Sequence, residues 1–168
     1  MAYIVKNMTL IPQALRSSCW YASAQMLITW KQDQRQQSMK GLIPPDLDAE
    51  CRKIRDDNKG MVNKQILTMA FRLGLEAIPP MTPTTATIEN WLTRYGPLWV
   101  NGKTHIVVIA GIMDIPILGV CLLVYDPWPV CIGKIEWRSI SWYIGSGKSS
   151  RDTRQDVETV FLHCKENY

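Results

Sequence analysis

Several absences narrow the chemistry open to this chain. Among its five cysteines, Cys19, Cys51, Cys121, Cys131 and Cys164, no two stand as Cys-x-x-C, so a zinc site of ordinary spacing has no support. Their odd number and wide spacing do not make a secreted disulfide framework either. Cys121 and Cys131 could meet across a hairpin, but two buried free thiols in a reducing compartment are the expectation. No run approaches the roughly 18 apolar residues of a membrane span. The longest apolar stretches, 106–112 and 115–125, are strand-like. Residues 1–8 have no apolar core followed by a small-residue cleavage site. A chain with no general secretion address and no membrane insertion is expected. The formal charge is only +4 and no five or six like charges stand together, which argues against a nucleic-acid partner.

What is present reads as an ordinary globular protein: 168 residues, 46% hydrophobic and 20% charged. That length makes one domain with a real core. An extended lead-in, 3–12, ends at Pro12. A helix opens at Cys19, where Cys19, Ser23, Met26, Leu27 and Trp30 share a face, with Ser17 or Ser18 as its cap. It frays over 31–40. A short helix from Asp46 or Asp48 to Asp57 follows, its Asp46, Asp48 and Glu50 most simply a solvated start. A third, 63–73, is expected to bury Ile66, Leu67, Ala70, Phe71 and Leu73 and stops at Gly74. A fourth covers about 85–94. The Pro-rich loop 79–85 marks a lobe boundary.

Strand-like runs then take over, at 98–100, 105–112, 118–125, 131–139 and 157–164, with a polar loop at 146–156. Helices first and strands after is an α+β layout: a helical lobe of about 13–95 and a β lobe of about 96–168.

Cys19 is the position with chemical purpose. A cysteine opening a helix lies among unsatisfied N–H groups at the positive end of the helix dipole, where a thiolate is favoured. Gln13, six residues upstream, can bring its side-chain NH2 beside the sulfur, where an oxyanion forms in acyl transfer. This pair points to a cysteine peptidase or amidase and calls for a base.

Only two histidines can supply one. His163 neighbours Cys164 on a strand, so the two point to opposite faces, and a structural role suits His163. His105 opens an apolar strand, at the mouth of a sheet. Asp126, in Tyr-Asp-Pro-Trp at the end of the next strand, can accept the second imidazole N–H. An Asp before Pro is also a common turn starter; with Cys19, Gln13 and His105 in place, the catalytic role is favoured. No metal and no cofactor is required.

Together these residues resemble the papain-like cysteine peptidases. The similarity lies in Gln13, five residues, Cys19-Trp20 and the helix, then Gly96-Pro-Leu-Trp-Val followed by His105-Ile-Val-Val-Ile-Ala-Gly111. It spans about 10–130. The resemblance implies a central catalytic helix packed on a C-terminal antiparallel sheet or barrel, Cys19 as nucleophile, His105 leading a β-lobe strand and Gln13 in the oxyanion hole. Asp126 replaces papain's asparagine, as in bacterial branches: avirulence proteases of plant pathogens and peptidase domains of bacteriocin exporters. Arg16-Ser17-Ser18 stands where glycines usually precede the cysteine. The chain is also shorter than papain, and neither a pro-segment nor disulfides are expected of it. The resemblance further implies a protein or peptide substrate, an effector or toxin delivered by a secretion system from the producer's cytoplasm, and a cognate immunity or inhibitor protein.

Ser18, Trp20 and Trp128 are candidate cleft residues, with Trp142 and the loops 41–45 and 146–156. The run Gly145-Ser-Gly-Lys-Ser149 imitates a phosphate loop, but Trp142 stands where its first glycine belongs. Alternatives sharing the thioester are a peptidoglycan amidase and a transglutaminase-like acyl transferase. A catalytically silent binding module is the alternative from another class.

Overall fold

The computed structural model describes residues 2–35, 40–102, 105–141 and 160–166. The expected Trp142, the 145–149 run, the 146–156 loop and the start of the last strand lie outside them. In chain order the elements are β1 (Ala2–Ile4), α1 (Cys19–Arg35), a 3-10 turn (Pro45–Leu47), α2 (Ala49–Asp56) and α3 (Asn63–Leu73). Then come β2 (Leu75–Ala77), α4 (Thr85–Tyr95), β3 (Leu98–Asn101), β4 (Ile106–Ile115), β5 (Gly119–Asp126), β6 (Lys134–Ser139) and β7 (Phe161–Cys164).

Helix ends follow local chemistry. The Asp48 carboxylate caps α2 by accepting from the Cys51 N–H at 2.8 Å. Thr84 caps α4 through the Thr87 N–H at 3.2 Å. Gly74 ends α3 in the left-handed region at φ 79°.

All strands join one antiparallel sheet in the order β2-β7-β3-β4-β5-β6, and β1 adds to β4. β3 covers the 106–109 end of β4 and β1 covers 111–113 on the same edge. Central β4 is buried from Ile106 to Ile112, as a strand carrying neighbours on both edges and a helix on its face must be. That helix is α1, which packs on β3, β4 and β7. Ala24 is fully buried there, and Ala22 nearly so. The fold is therefore the expected α+β one, a central helix on an antiparallel sheet. Among the described residues the sheet stays open, with β2 and β6 at its ends.

Several details differ from expectation. β1 and β2 are sheet strands drawn from the first half of the chain, so the helical stretch 13–95 itself contains a strand. On α3 the buried set is Ile66, Met69, Ala70 and Leu73, while Leu67 and Phe71 are 49% and 81% exposed. All five thiols are free, and Cys131 is exposed rather than buried. His163 has the structural role anticipated: it is buried, its ring stacks on Tyr95 at 3.9 Å and its Nδ1 meets the Cys164 carbonyl at 2.8 Å. Burial pushes it toward the neutral form. Among the described residues, no helix is long and apolar enough to cross a membrane.

Candidate active site

Cys19 is the first residue of α1 and its side of the helix end is almost covered, at 9% exposure. The loop before it is tied down from both sides. The Ser18 hydroxyl turns back, donating to the Leu15 carbonyl and accepting from the Leu15 N–H, each at 3.0 Å. Its backbone carbonyl accepts from Tyr21 and Ala22 at 3.1 Å. Ser18 therefore precedes the helix as expected, but its hydroxyl caps the loop and not the first turn. The helix N–H groups beside Cys19 keep their capacity to donate. Across the loop, the Ser17 N–H reaches Asn58 Oδ1 at 2.9 Å.

The sheet brings the other groups to this helix end. In the β4–β5 pairing Val108 lies opposite Tyr125, so the start of β4 and the end of β5 are side by side. His105 precedes β4, its carbonyl accepting from the Gly102 N–H at 2.7 Å. Asp126 closes β5. Its Oδ1 meets His105 Nε2 at 2.6 Å and also accepts from the Trp128 N–H at 2.9 Å. The Cys19 sulfur is the second group that favours the imidazolium. Cys19, His105 and Asp126 thus come together from three separate stretches of sequence.

Electrostatics favour charge on both the histidine and the aspartate. Burial opposes the imidazolium, but the hydrogen bond to Asp126, followed by the Cys19 sulfur, outweighs it and lifts His105 to about 9. Burial likewise opposes the Asp126 carboxylate. The hydrogen bond and charge of His105, then Arg138 and the Trp128 N–H, hold it down to about 2.

Gln13 sits under the same loop, buried. Its backbone N–H donates to the Pro127 carbonyl at 3.0 Å and its carbonyl accepts from the Cys131 N–H at 2.9 Å. These two bonds clamp the Gln13 segment to the turn after Asp126. Its side-chain NH2, expected beside the sulfur, donates to the carbonyls of Leu15 and Arg16, each at 2.8 Å. Oε1 is buried and has no hydrogen-bond partner among the described residues.

Two cleft candidates are placed elsewhere. Trp20 is fully buried, its Nε1 donating to the Lys59 carbonyl at 3.0 Å, and Ser18 is 2% exposed. Neither offers surface to a ligand; one is core and the other a loop tie. Trp128, 42% exposed just after Asp126, does stand at the surface beside the site.

One group escaped the sequence. Arg138 of β6 donates through Nη2 to Asp126 Oδ2 at 2.6 Å, and through Nε to Glu136. Lys134, Glu136 and Arg138 alternate along β6, opposite Asp126, Val124 and Leu122. Alternating charges on one face of a strand next to the strand that ends in Asp126 were the available signal.

A helix that begins on a cysteine, lies on an antiparallel sheet and faces a histidine–aspartate pair has the layout of a papain-like thiol peptidase. The sequence model of the family described as papain-like cysteine protease AvrRpt2 matches residues 4–147. The chain belongs to that family and is a cysteine peptidase. Among solved structures, UfSP from C. elegans is similar with a TM-score of 0.57 and 15% identity. The likeness covers 96% of this chain and 33% of that one, so it is a likeness of fold, and this chain spans about a third of that protein's length. No curated protein matches.

Proposed function

We propose that the chain hydrolyses peptide bonds of a protein substrate through Cys19, His105 and Asp126. The supporting observation is the 2.6 Å contact between His105 and Asp126 beside a cysteine at a helix start. His105 takes the Cys19 proton, and the sulfur attacks the carbonyl carbon to give a tetrahedral oxyanion. The C–N bond breaks as the imidazolium protonates the departing amine, leaving a thioester. His105 then takes a proton from water, whose oxygen attacks the thioester. Collapse releases the acid and frees the sulfur.

The oxyanion is assigned to the Cys19 backbone N–H and to Gln13, which must turn one hydrogen away from its loop carbonyls to serve it. Trp128 is assigned to the substrate cleft. Family membership and the free thiols support a further step: a bacterial effector acting in the reducing cytoplasm of a target cell, restrained in its producer by an inhibitor protein.

The test is labelling by an epoxide or iodoacetamide probe, mapped by mass spectrometry, in wild type, Cys19→Ala and His105→Ala. Cys19 is expected to react fastest of the five thiols and to slow roughly a hundredfold without His105. A Cys19 that reacts no faster than the others would overturn the assignment.

A further inference from the structure

We propose that Arg138 is a positioning residue of the active site, which shares the Asp126 carboxylate with His105 and so sets how tightly that histidine holds its proton. This rests on the assignment of Cys19, His105 and Asp126 above. Arg138 starts opposite Leu122, and its stem runs along the β6 face to bring Nη2 within 2.6 Å of Asp126 Oδ2. The contact is buried, with side chains 12% and 4% exposed, so water and salt screen it little. Each carboxylate oxygen has its own donors: Oδ1 takes His105 and the Trp128 N–H, Oδ2 takes the guanidinium. With both oxygens held, the carboxylate plane is fixed toward the imidazole.

Two cations on one buried anion also compete. Each draws on the charge that would otherwise hold the other, and they repel one another through it. The charged and titratable groups around the imidazole, among the described residues, are Cys19 from α1 and Asp126 from β5. Behind Asp126 stand Arg138, Glu136 and Lys134 from β6, with Lys134 Nζ 3.2 Å from Glu136. Glu136 takes the Nε of the same guanidinium and so draws part of its charge away from Asp126. Arg138 thus tempers the pull of Asp126, and Glu136 tempers Arg138.

The test uses NMR titration of the two imidazoles in wild type, Arg138→Met, Arg138→Lys, Glu136→Gln and Asp126→Asn. His163, stacked on Tyr95, serves as the internal reference. Arg138→Met keeps the stem and removes the charge, and is expected to raise the His105 midpoint by roughly 0.5–1 pH unit while His163 stays put. Arg138→Lys returns it toward wild type. A midpoint that is unchanged or lower in Arg138→Met overturns the proposal. Should Arg138→Met not fold, Glu136→Gln decides. It removes the Glu136 charge from the guanidinium, leaves more of it to act on Asp126 and must lower the His105 midpoint; no change, or a rise, overturns the proposal. Asp126→Asn separates the two levels. If it leaves His105 unmoved, the underlying triad fails; if it lowers His105 while Arg138→Met does nothing, only the role of Arg138 fails.

Discussion

Gln13 has two roles that substitution can separate. As found, its NH2 holds the carbonyls of Leu15 and Arg16, and through them the loop that delivers Cys19. As proposed, the same NH2 also meets an oxyanion. Alkylation of Cys19 by iodoacetamide forms no oxyanion, whereas hydrolysis of denatured casein does. Gln13→Ala should therefore slow casein hydrolysis by about 100- to 1,000-fold, the usual weight of one oxyanion donor. Alkylation of Cys19 should fall much less. Equal losses in the two assays would leave Gln13 with the loop alone. Of the proposed site, Cys19 and His105 were legible beforehand through scarcity, as the chain has two histidines and, among the described residues, one cysteine that opens a helix. Glutamines and aspartates are plentiful, so Gln13 and Asp126 were read from placement alone, six residues before Cys19 and at the end of the hairpin that His105 opens. Arg138 is missed because an arginine on a strand reads as a solvent-facing residue until the neighbouring strand shows a buried carboxylate; the alternating charges of β6 mark the strand but not the contact. The spent state of the Gln13 amide was equally hidden, since carbonyl directions in a loop leave no trace in residue types.

At the scale of elements, α1 carries the nucleophile and its far end is fixed by an unusual contact. Gly96, after α4, adopts φ +87° and ψ −146°, a conformation open essentially to glycine alone. A Cβ there would lie 2.2 Å from Cη2 of Trp30, on the last turns of α1. The Trp30 indole N–H is in turn bonded to the Lys6 carbonyl at 2.9 Å, so the ring has little freedom to retreat. Gly96→Ala should cost about 1–3 kcal/mol from backbone strain alone, with the displaced Trp30 adding to it. Since each kcal/mol moves the melting temperature of a chain this size by about 2–4 °C, calorimetry should show a fall of several degrees. A melting temperature within a degree of wild type would mean that α1 and α4 are not braced there. Elements of this length were mostly readable: α3 spans Asn63–Leu73 as its periodicity and Gly74 require. Its face was read too widely. Residues 66, 69, 70 and 73 follow the i, i+3, i+4, i+7 spacing of one stripe, whereas Leu67 and Phe71 lie beside it, apolar but exposed. The strands β1 and β2 have three residues each, too few for a period of two to register.

At the scale of the molecule, the pair at the seam between α1 and the sheet links folding to pH. His105 moves from its ordinary 6.5 to about 9 on folding, and Asp126 from 3.8 to about 2. A raised histidine stabilises the fold fully below about 6.5, and that contribution fades as the pH climbs through 9. A lowered aspartate does the reverse: its contribution is complete above about 3.8 and is lost as the pH falls through 2. Both act in full only between about pH 4 and 6.5. His105→Gln removes the titrating group together with some packing, and the packing loss does not depend on pH. The informative quantity is therefore how the gap in melting temperature between wild type and His105→Gln changes across pH 4–10. It should be widest and flat up to about 6.5, narrow steadily between about 6.5 and 9, and level off above that. A gap that stays constant over that range would mean His105 is not held as an imidazolium by Asp126 and Cys19. The charge arrangement proposed for the nucleophile would then lose its support along with the stability it predicts.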